Sequence, residues 1–531
     1  MKKVVVLETT LRDGTQGEGI SLSVEDKLKI TAKLDALGVT YIEGGWPGSN
    51  PKDMEYFQRV KKLSLKNSKA TAFSSTRRPD IDVRNDSNVR AVLECGIKTA
   101  VIVGKSWDLH VIQALETSLE ENLAMIFDTV KYLKDQGLEV IYDAEHFFDG
   151  YRRNPKYALE TIQAAAEAGA DWITLCDTNG GMLPENIENV VSLVKKNINV
   201  PLGIHVHNDG DLAVANTLAA VKAGVTMVQG TINGFGERCG NANLCSVIPN
   251  LELKMGCSCL PEGCLKLLTE VSYYISEIAN VAHLSHQPFI GQSAFAHKAG
   301  IHVSAVSKNP LTYEHIDPGL VGNKRRVLVS ELSGLSNLKY KAQELNIDVE
   351  LEGPESRTII NHIKELEHMG YQYEGAEASL ELLLRRAFGQ CQDNFMLESF
   401  KILMEKREND GIISEAMIKL KVGEEIVHTA AEGNGPVNAL DNALRKALEH
   451  FYPVISDIHL TDYKVRVLDE KDATAAKVRV LIETMDEEGT WSTVGVSENI
   501  IEASWQALVD SINYVLMKRK DRERKIDVVP Q

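Results

Sequence analysis

No stretch of this 531-residue chain approaches the roughly 18 consecutive apolar residues that a membrane-crossing helix needs, so no membrane partner is expected. Positive charge is also in short supply. Lys and Arg number 58 against 75 Asp and Glu, a net charge of -17. That argues against a general nucleic-acid binder, which needs a basic surface to neutralise phosphates. It leaves room for a local basic patch facing an anionic ligand. The run Lys518-Arg519-Lys520-Asp521-Arg522 reads as positive charge at a helix C-terminus. Paired cysteine motifs are missing. Eight cysteines are scattered along the chain, and the cluster Cys257, Cys259 and Cys264 has no CxxC or Cys/His finger spacing. They read as reduced thiols rather than a zinc knot or a disulfide framework, and the expected compartment is the cytoplasm. The opening apolar run Val4–Leu7 is cut short by Glu8 and Arg12, with no small-residue cleavage site after it. It reads as a first strand, not a signal peptide.

Composition is otherwise that of a globular protein, 44% apolar and 25% charged. The length predicts two to four domains. In the first half, short β-branched runs recur at even intervals: Val4–Leu11, Val39–Trp46, Ala70–Ser75, Thr99–Val103, Leu138–Asp143, Trp172–Cys176, Leu202–His207 and Met227–Ile232. Helix-patterned segments such as Ser23–Leu37 and Pro155–Ala168 lie between them, several closed by a glycine stop, as in Leu37-Gly38 and Ala168-Gly169. Eight βα units in about 250 residues predict an α/β fold of the (β/α)8 TIM-barrel type. A doubly wound sheet would more often carry a glycine-rich phosphate fingerprint after its first strand, and none is there.

Residues 1–275 are assigned to the barrel. Residues 276–395 read as a mostly helical connector, with helical stretches around Leu338–Asn361 and Ala376–Gly389. Residues 396–531 return to alternating strands and helices with a weak internal repeat. Pro436–Leu444 aligns with Ile500–Leu508, each after a strand-like run, Glu424–Thr429 or Thr490–Val496. Two like units predict a pseudo-symmetric α+β domain.

Barrel chemistry sits at the C-terminal ends of the strands, and polar residues gather there at strands one, five, six, seven and eight. His205 and His207, two apart on a strand, point the same way into the mouth. Asp13 ends strand one, and Asn241 follows strand eight, which closes against it. Two imidazoles, a carboxylate and an amide oxygen make a mixed N/O site suited to Mg²⁺, Mn²⁺, Zn²⁺ or Co²⁺. A 2-oxo acid could fill two remaining positions through its carboxylate and keto oxygens, with the metal as Lewis acid. Arg12 reads either as a charge that stabilises a developing oxyanion or as a salt bridge across the barrel top. Glu145 reads as a proton handler or a supporting hydrogen-bond partner, and Thr178 as a carboxylate-binding hydroxyl or a helix N-cap.

Leu11-Arg12-Asp13-Gly14-Thr15-Gln16, His205-Val206-His207-Asn208-Asp209 and Asn233-Gly234-x-Gly236-Glu237-Arg238-x-Gly240-Asn241-Ala242 together resemble the signature of the 2-isopropylmalate, homocitrate and citramalate synthases. The resemblance extends to Gly300-Ile301-His302 and to Gly433-x-Gly435-Pro436-Val437. It implies an acyltransferase that condenses acetyl-CoA with a 2-oxo acid and releases CoA. It implies metal ligation by Asp13, His205, His207 and Asn241, roles for Arg12 and Glu145, and His302 as the base that activates acetyl-CoA. It places Tyr313 near the substrates. The family often has an acidic residue two positions after this histidine; here it is Ser304. The resemblance further implies a homodimer in which one chain's connector reaches the other's barrel mouth, and a last domain that senses the pathway's end-product amino acid.

Glu43-Gly44-Gly45-Trp46-Pro47-Gly48-Ser49-Asn50-Pro51 and Asp177-Thr178-Asn179-Gly180-Gly181 look like the citramalate-forming branch. That implies pyruvate as oxo acid, with Trp46 narrowing the pocket, and isoleucine as effector. The rivals are a 2-isopropylmalate-forming enzyme under leucine control, a 3-hydroxy-3-methylglutaryl-CoA lyase-like enzyme, and a non-catalytic amino-acid sensor. The connector and last domain weigh against the lyase, and four intact metal ligands weigh against the sensor.

Overall fold

The computed structural model describes residues 2–329, 335–345, 347, 354–407, 411–468 and 476–527. It divides into two compact units. The first comprises Met1–Phe295 with His315–Arg325, the second Ala296–Glu314 with Arg326–Gln531.

The first unit is built on a closed barrel of eight parallel strands: β1 Val5–Glu8, β2 Tyr41–Gly45, β3 Lys69–Ser75, β4 Thr99–Lys105, β5 Glu139–Glu145, β6 Trp172–Asp177, β7 Leu202–Val206 and β8 Met227–Gly230. The closing register pairs Val5 with Met227 and Glu8 with Gly230. The expected strands are all there, but β1 stops at Glu8 and β8 at Gly230. The residues expected to extend them, through Leu11 and Ile232, are instead the turns that carry the site. Local chemistry explains the helices between strands. Val24–Leu37 starts on a Ser23–Asp26 capping box and stops at Gly38, whose φ of 91° is left-handed. Pro155–Glu167 opens with proline at its first position behind an Asn154 cap.

Side chains alternate between barrel interior and helix layer along each strand. Leu7, Tyr41, Phe73, Val101, Ile141 and Met227 form a buried apolar plug inside the barrel. Two residues further along β2, β5 and β8 stand Glu43, Asp143 and Gln229, all buried. The barrel is therefore packed below and polar above, which sets the site at its C-terminal mouth.

The second unit contains the connector helices Gly300–Lys308, Leu335–Glu344, Pro354–Met369 and Glu377–Ala387. The single helical stretch expected over Leu338–Asn361 is two helices, and most of the residues between them lie outside the described set. Beyond them come two three-stranded antiparallel sheets: β9 Met396–Arg407, β10 Gly411–Val422, β11 Glu425–Gly433, then β12 His459–Val467, β13 Val478–Asp486, β14 Gly489–Ser497. Each sheet is followed by a helix, Pro436–Leu448 or Ile500–Asp527. The internal repeat is thus larger than the βα unit expected: it is βββα. Both helices pack small residues into one core, Ala439, Ala443 and Ala447 from one and Ala503 and Ala507 from the other.

The basic run at 518–522 does not end its helix. The helix continues to Asp527, and the cations are spent laterally: Lys518 on Glu381, Arg519 on Asp457 at 3.6 Å, Arg522 on Glu488. No helix among the described residues is long and apolar enough to cross a membrane.

Candidate active site

Asp13, His205 and His207 offer ligand atoms that all lie within 4.8 Å of one another, and all three are buried. His205 is on β7. His207 follows it, and its backbone is bridged to Asn241, with Asn208 N–H donating to Gly240 O at 2.8 Å and Ala242 N–H to Val206 O at 2.9 Å. The loop after β8 is thereby laid along the end of β7, and this brings Asn241 to the histidines. Glycine is required in that loop. A Cβ on Gly236, at φ 153°, would collide with the Asn241 amide, and one on Gly240, at φ 86°, with the Gly234 carbonyl. Asn241 Nδ2 donates to Asp13 Oδ1 at 3.1 Å.

His205 Nε2 lies 3.5 Å from Asp13 Oδ2 and 3.3 Å from His207 Nε2. Burial pushes both imidazoles below the usual histidine range, against the pull of Asp13, so both rest neutral and can ligate. Burial would raise the Asp13 carboxyl, but the Arg12 charge beside it and the hydrogen bond from Asn241 hold it low. Asn241 Oδ1 and His207 Nδ1 are buried without a hydrogen-bond partner among the described residues. Two neutral nitrogens and an ionised carboxylate at one point, with the Asn241 amide against that carboxylate, fit a hard-to-borderline divalent cation.

Arg12 sits beside Asp13, its Nη1 3.3 Å from Asp13 Oδ2. Its guanidinium also lies 3.9 Å over the Phe73 ring, and Phe73 meets Trp46 edge-on at 5.3 Å. These residues border a cavity of about 350 Å³ at the barrel mouth, which Lys105, Glu145, Thr178 and Arg238 also line. Arg12 is both a salt-bridge partner and a cavity cation, so the two sequence readings are compatible. Glu145 is ion-paired to Lys105 across β4 and β5. Thr178 is not a helix N-cap: the next helix begins at Pro184, with Leu183 at its cap. Thr178 Oγ1 accepts from the backbone N–H of His146 at 2.9 Å, which leaves its hydroxyl proton free to donate.

His302 and Tyr313 lie in the second unit, where their rings meet at a tilt with 4.2 Å between centroids. His302 is exposed on the helix Gly300–Lys308. Among the described residues no acid is paired with His302 in place of the one missing at Ser304; a buried pair in the same unit is His297 with Glu314, at 3.0 Å.

Several residues of this mouth were not singled out from sequence. Gln229 hydrogen-bonds His205 Nδ1 at 3.1 Å. Lys105 holds Glu145. Arg238, at φ 57°, bridges Asp209 at 2.7 Å and the Thr178 carbonyl at 2.6 Å. A polar residue at an inward position of a barrel strand was the available signal for Gln229.

Three family matches cover the chain: HMGL-like over residues 3–281, homocitrate synthase post-HMGL domain-like over 289–370, and the LeuA allosteric (dimerisation) domain over 374–516. An (R)-citramalate synthase of Geobacter sulfurreducens is 55% identical over 98% of this chain and 99% of its own. One from Aquifex aeolicus is also 55% identical, over 98% and 99%. A 2-isopropylmalate synthase of Methanocaldococcus jannaschii is 34% identical over 98% and 96%. On that similarity, and with the barrel and clustered ligands described above, the chain belongs to the HMGL-like acyltransferases and, among them, to the citramalate synthase family.

Proposed function

We propose that this enzyme condenses acetyl-CoA with pyruvate and hydrolyses the resulting thioester to (R)-citramalate and CoA. The observation that carries the reading is the convergence of Asp13, His205 and His207 at the barrel mouth in a chain 55% identical to relatives named (R)-citramalate synthase. Asp13, His205, His207 and Asn241 would hold one divalent cation, Mg²⁺, Mn²⁺, Zn²⁺ or Co²⁺. When bound, it supplies Lewis acidity to the keto carbonyl of a chelated oxo acid. Arg12 stabilises the alkoxide that forms as the new carbon–carbon bond closes. Thr178 donates its hydroxyl to the oxo-acid carboxylate. His302 takes a proton from the acetyl-CoA methyl group, Tyr313 orients the substrates, and Glu145 handles a proton or an ordered water. Trp46 against Phe73 narrows the space for the oxo-acid side chain.

Residues 1–275, 276–395 and 396–531 act on this reading as catalytic barrel, connector and regulatory domain, in a cytoplasmic homodimer. Isoleucine is the proposed effector. The last domain has a cavity of about 650 Å³ lined by Asp441, Arg445 and the apolar Val437, Ile455, Ile458 and Leu460, a combination suited to an aliphatic amino acid.

The test is CoA release with pyruvate, 2-oxobutyrate and 2-oxoisovalerate. Pyruvate should give the highest kcat/KM. Preference among oxo acids that differ by a methylene is worth only ~1–3 kcal/mol, so slow turnover of 2-oxobutyrate is expected. A higher kcat/KM for 2-oxoisovalerate would make the enzyme a 2-isopropylmalate synthase instead.

A further inference from the structure

Met227 and Gln229 both face the barrel interior from β8, Met227 in the apolar plug and Gln229 above it. Gln229 is 1% exposed. It reaches across the interior: its Nε2 donates to Asp143 Oδ1 on β5 at 2.8 Å and to Thr174 Oγ1 on β6 at 3.0 Å. Asp143 and Thr174 are themselves buried. With its nitrogen committed to two oxygens, the Gln229 amide turns its oxygen to His205 Nδ1, 3.1 Å away. An amide oxygen only accepts, so the ring proton of His205 sits on Nδ1. A neutral imidazole has one such proton, so Nε2 is left with its lone pair. Nε2 is the atom that faces Asp13 and His207.

We propose that Gln229 is a positioning residue: through Asp143 and Thr174 it fixes His205 in the Nδ1–H tautomer, so that Nε2 is the nitrogen offered to a divalent cation. The cation itself rests on the proposed function above; the tautomer does not. Without Gln229 the Nδ1–H has no acceptor in a buried place, which disfavours that tautomer. A proton on Nε2 would then stand between His205 and the other ligands. Losing a group that orients a ligand in this way typically weakens metal binding ~10–100-fold.

Two measurements decide this. Neutron diffraction from crystals of the metal-free protein reads the tautomer directly. Deuterium on His205 Nδ1, with Nε2 bare, is the expected result; deuterium on Nε2 with Nδ1 bare overturns the proposal. The second is a titration with Mn²⁺, free ion being followed by electron paramagnetic resonance. Gln229→Leu should bind Mn²⁺ ~10–100-fold more weakly than the unaltered enzyme. The double variant Gln229→Glu with Asp143→Asn reverses donor and acceptor between the two positions yet keeps an acceptor for Nδ1–H, and should recover most of the affinity. Equal affinity in Gln229→Leu, or no recovery in a folded double variant, overturns the proposal. If the unaltered enzyme binds no Mn²⁺, the metal reading fails, and the neutron map still decides the tautomer. If Gln229→Leu does not fold, the neutron map and the double variant decide.

Discussion

Arg12 Nε donates to Glu43 Oε2 at 2.6 Å, and Glu43 is fully buried. The Thr9 hydroxyl donates to the same carboxylate oxygen. Burial alone would weaken the Arg12 cation, but Glu43 and Asp13 outweigh it and hold the guanidinium charged. Arg12 is thus held through Nε by Glu43 while its Nη1 meets Asp13 Oδ2 at 3.3 Å beside the cavity. Lysine has no planar fork with which to do both. Arg12→Ala should lower kcat ~10²–10³-fold, and Arg12→Lys should recover little of it. CoA release with pyruvate measures the rate; calorimetry should show acetyl-CoA binding retained. Near-normal turnover in Arg12→Ala would remove it from the chemistry.

Metal removal should abolish activity. The proposed donors are two neutral imidazoles, one carboxylate and one amide oxygen, and none can replace the charge of a divalent cation opposite a carbonyl. Dialysis against a chelator should stop CoA release, and Mg²⁺ or Mn²⁺ should restore it. His207→Ala should lose oxo-acid binding as well as turnover. Full activity after exhaustive chelation would contradict the site.

On the proposed function, proton abstraction should be separable from condensation. His302 belongs to the second unit, whereas the proposed metal ligands belong to the first. His302→Ala should abolish exchange of the acetyl-CoA methyl protons with deuterated water, followed by proton NMR. Arg12→Ala should still exchange them. Exchange that persists in His302→Ala would assign the base to another residue.

The barrel and the facing pair His205 and His207 were legible because they obey short-range rules. Strand alternation puts His205 and His207 on one side, and capping residues and glycine stops divide the βα units. Gln229 was missed because its partners, Asp143 and Thr174, are distant in the chain and meet it only when the barrel closes. The size of the internal repeat was missed for a related reason. The helices Pro436–Leu448 and Ile500–Asp527 keep matching small and apolar residues against a shared core, whereas a strand needs only alternation, so β9 and β10 need not resemble β12 and β13. The run at 518–522 misled because positive charge suits a helix end equally well as ion pairs along a helix flank.

Glu8 gives the fold a pH dependence with a definite sign. It is fully buried at the end of β1, and its Oε1 accepts from the backbone N–H of Thr10 at 2.9 Å and of Ile232 at 3.3 Å. Burial pushes its carboxyl up to about 7, against those hydrogen bonds. Unfolded, it titrates near ~4.3. The contribution is therefore fully present below the unfolded value and is lost as pH rises through the folded one. Glu8→Gln keeps an acceptor oxygen for both amides and cannot ionise. Relative to the unaltered protein, its Tm should be higher at about pH 8.5 than at about pH 5.5, read by calorimetry. A difference independent of pH would mean that Glu8 is ionised throughout.

Regulation can be tested at Asp441. Its Oδ2 pairs with Arg445 Nε at 2.9 Å, and its Oδ1 is buried with no hydrogen-bond partner among the described residues. Arg445 is anchored in turn on the carbonyls of Ile455, at 3.1 Å, and Ile458, at 2.8 Å. Asp441 and Arg445 line a cavity whose wall also carries the aliphatic Val437, Ile455 and Leu460, and the carboxylate suits an amino acid's ammonium group with the hydrocarbon chain against those side chains. Isoleucine should inhibit CoA release, and leucine less so, because the wall sets the shape of the chain it accepts. A coupling of ~1–3 kcal/mol corresponds to a change of ~5–150-fold in apparent affinity between the two sites. Asp441→Asn removes the charge at nearly constant shape, so the isoleucine concentration for half-inhibition should rise by about tenfold or more, within that range. The ratio of rates with and without isoleucine is the readout, which discounts any change in the basal rate. Inhibition of Asp441→Asn at the original concentration would move the effector elsewhere in the domain. No isoleucine binding by calorimetry to the unaltered enzyme, with an unchanged rate at saturating isoleucine, would leave residues 396–531 as a dimerisation element alone.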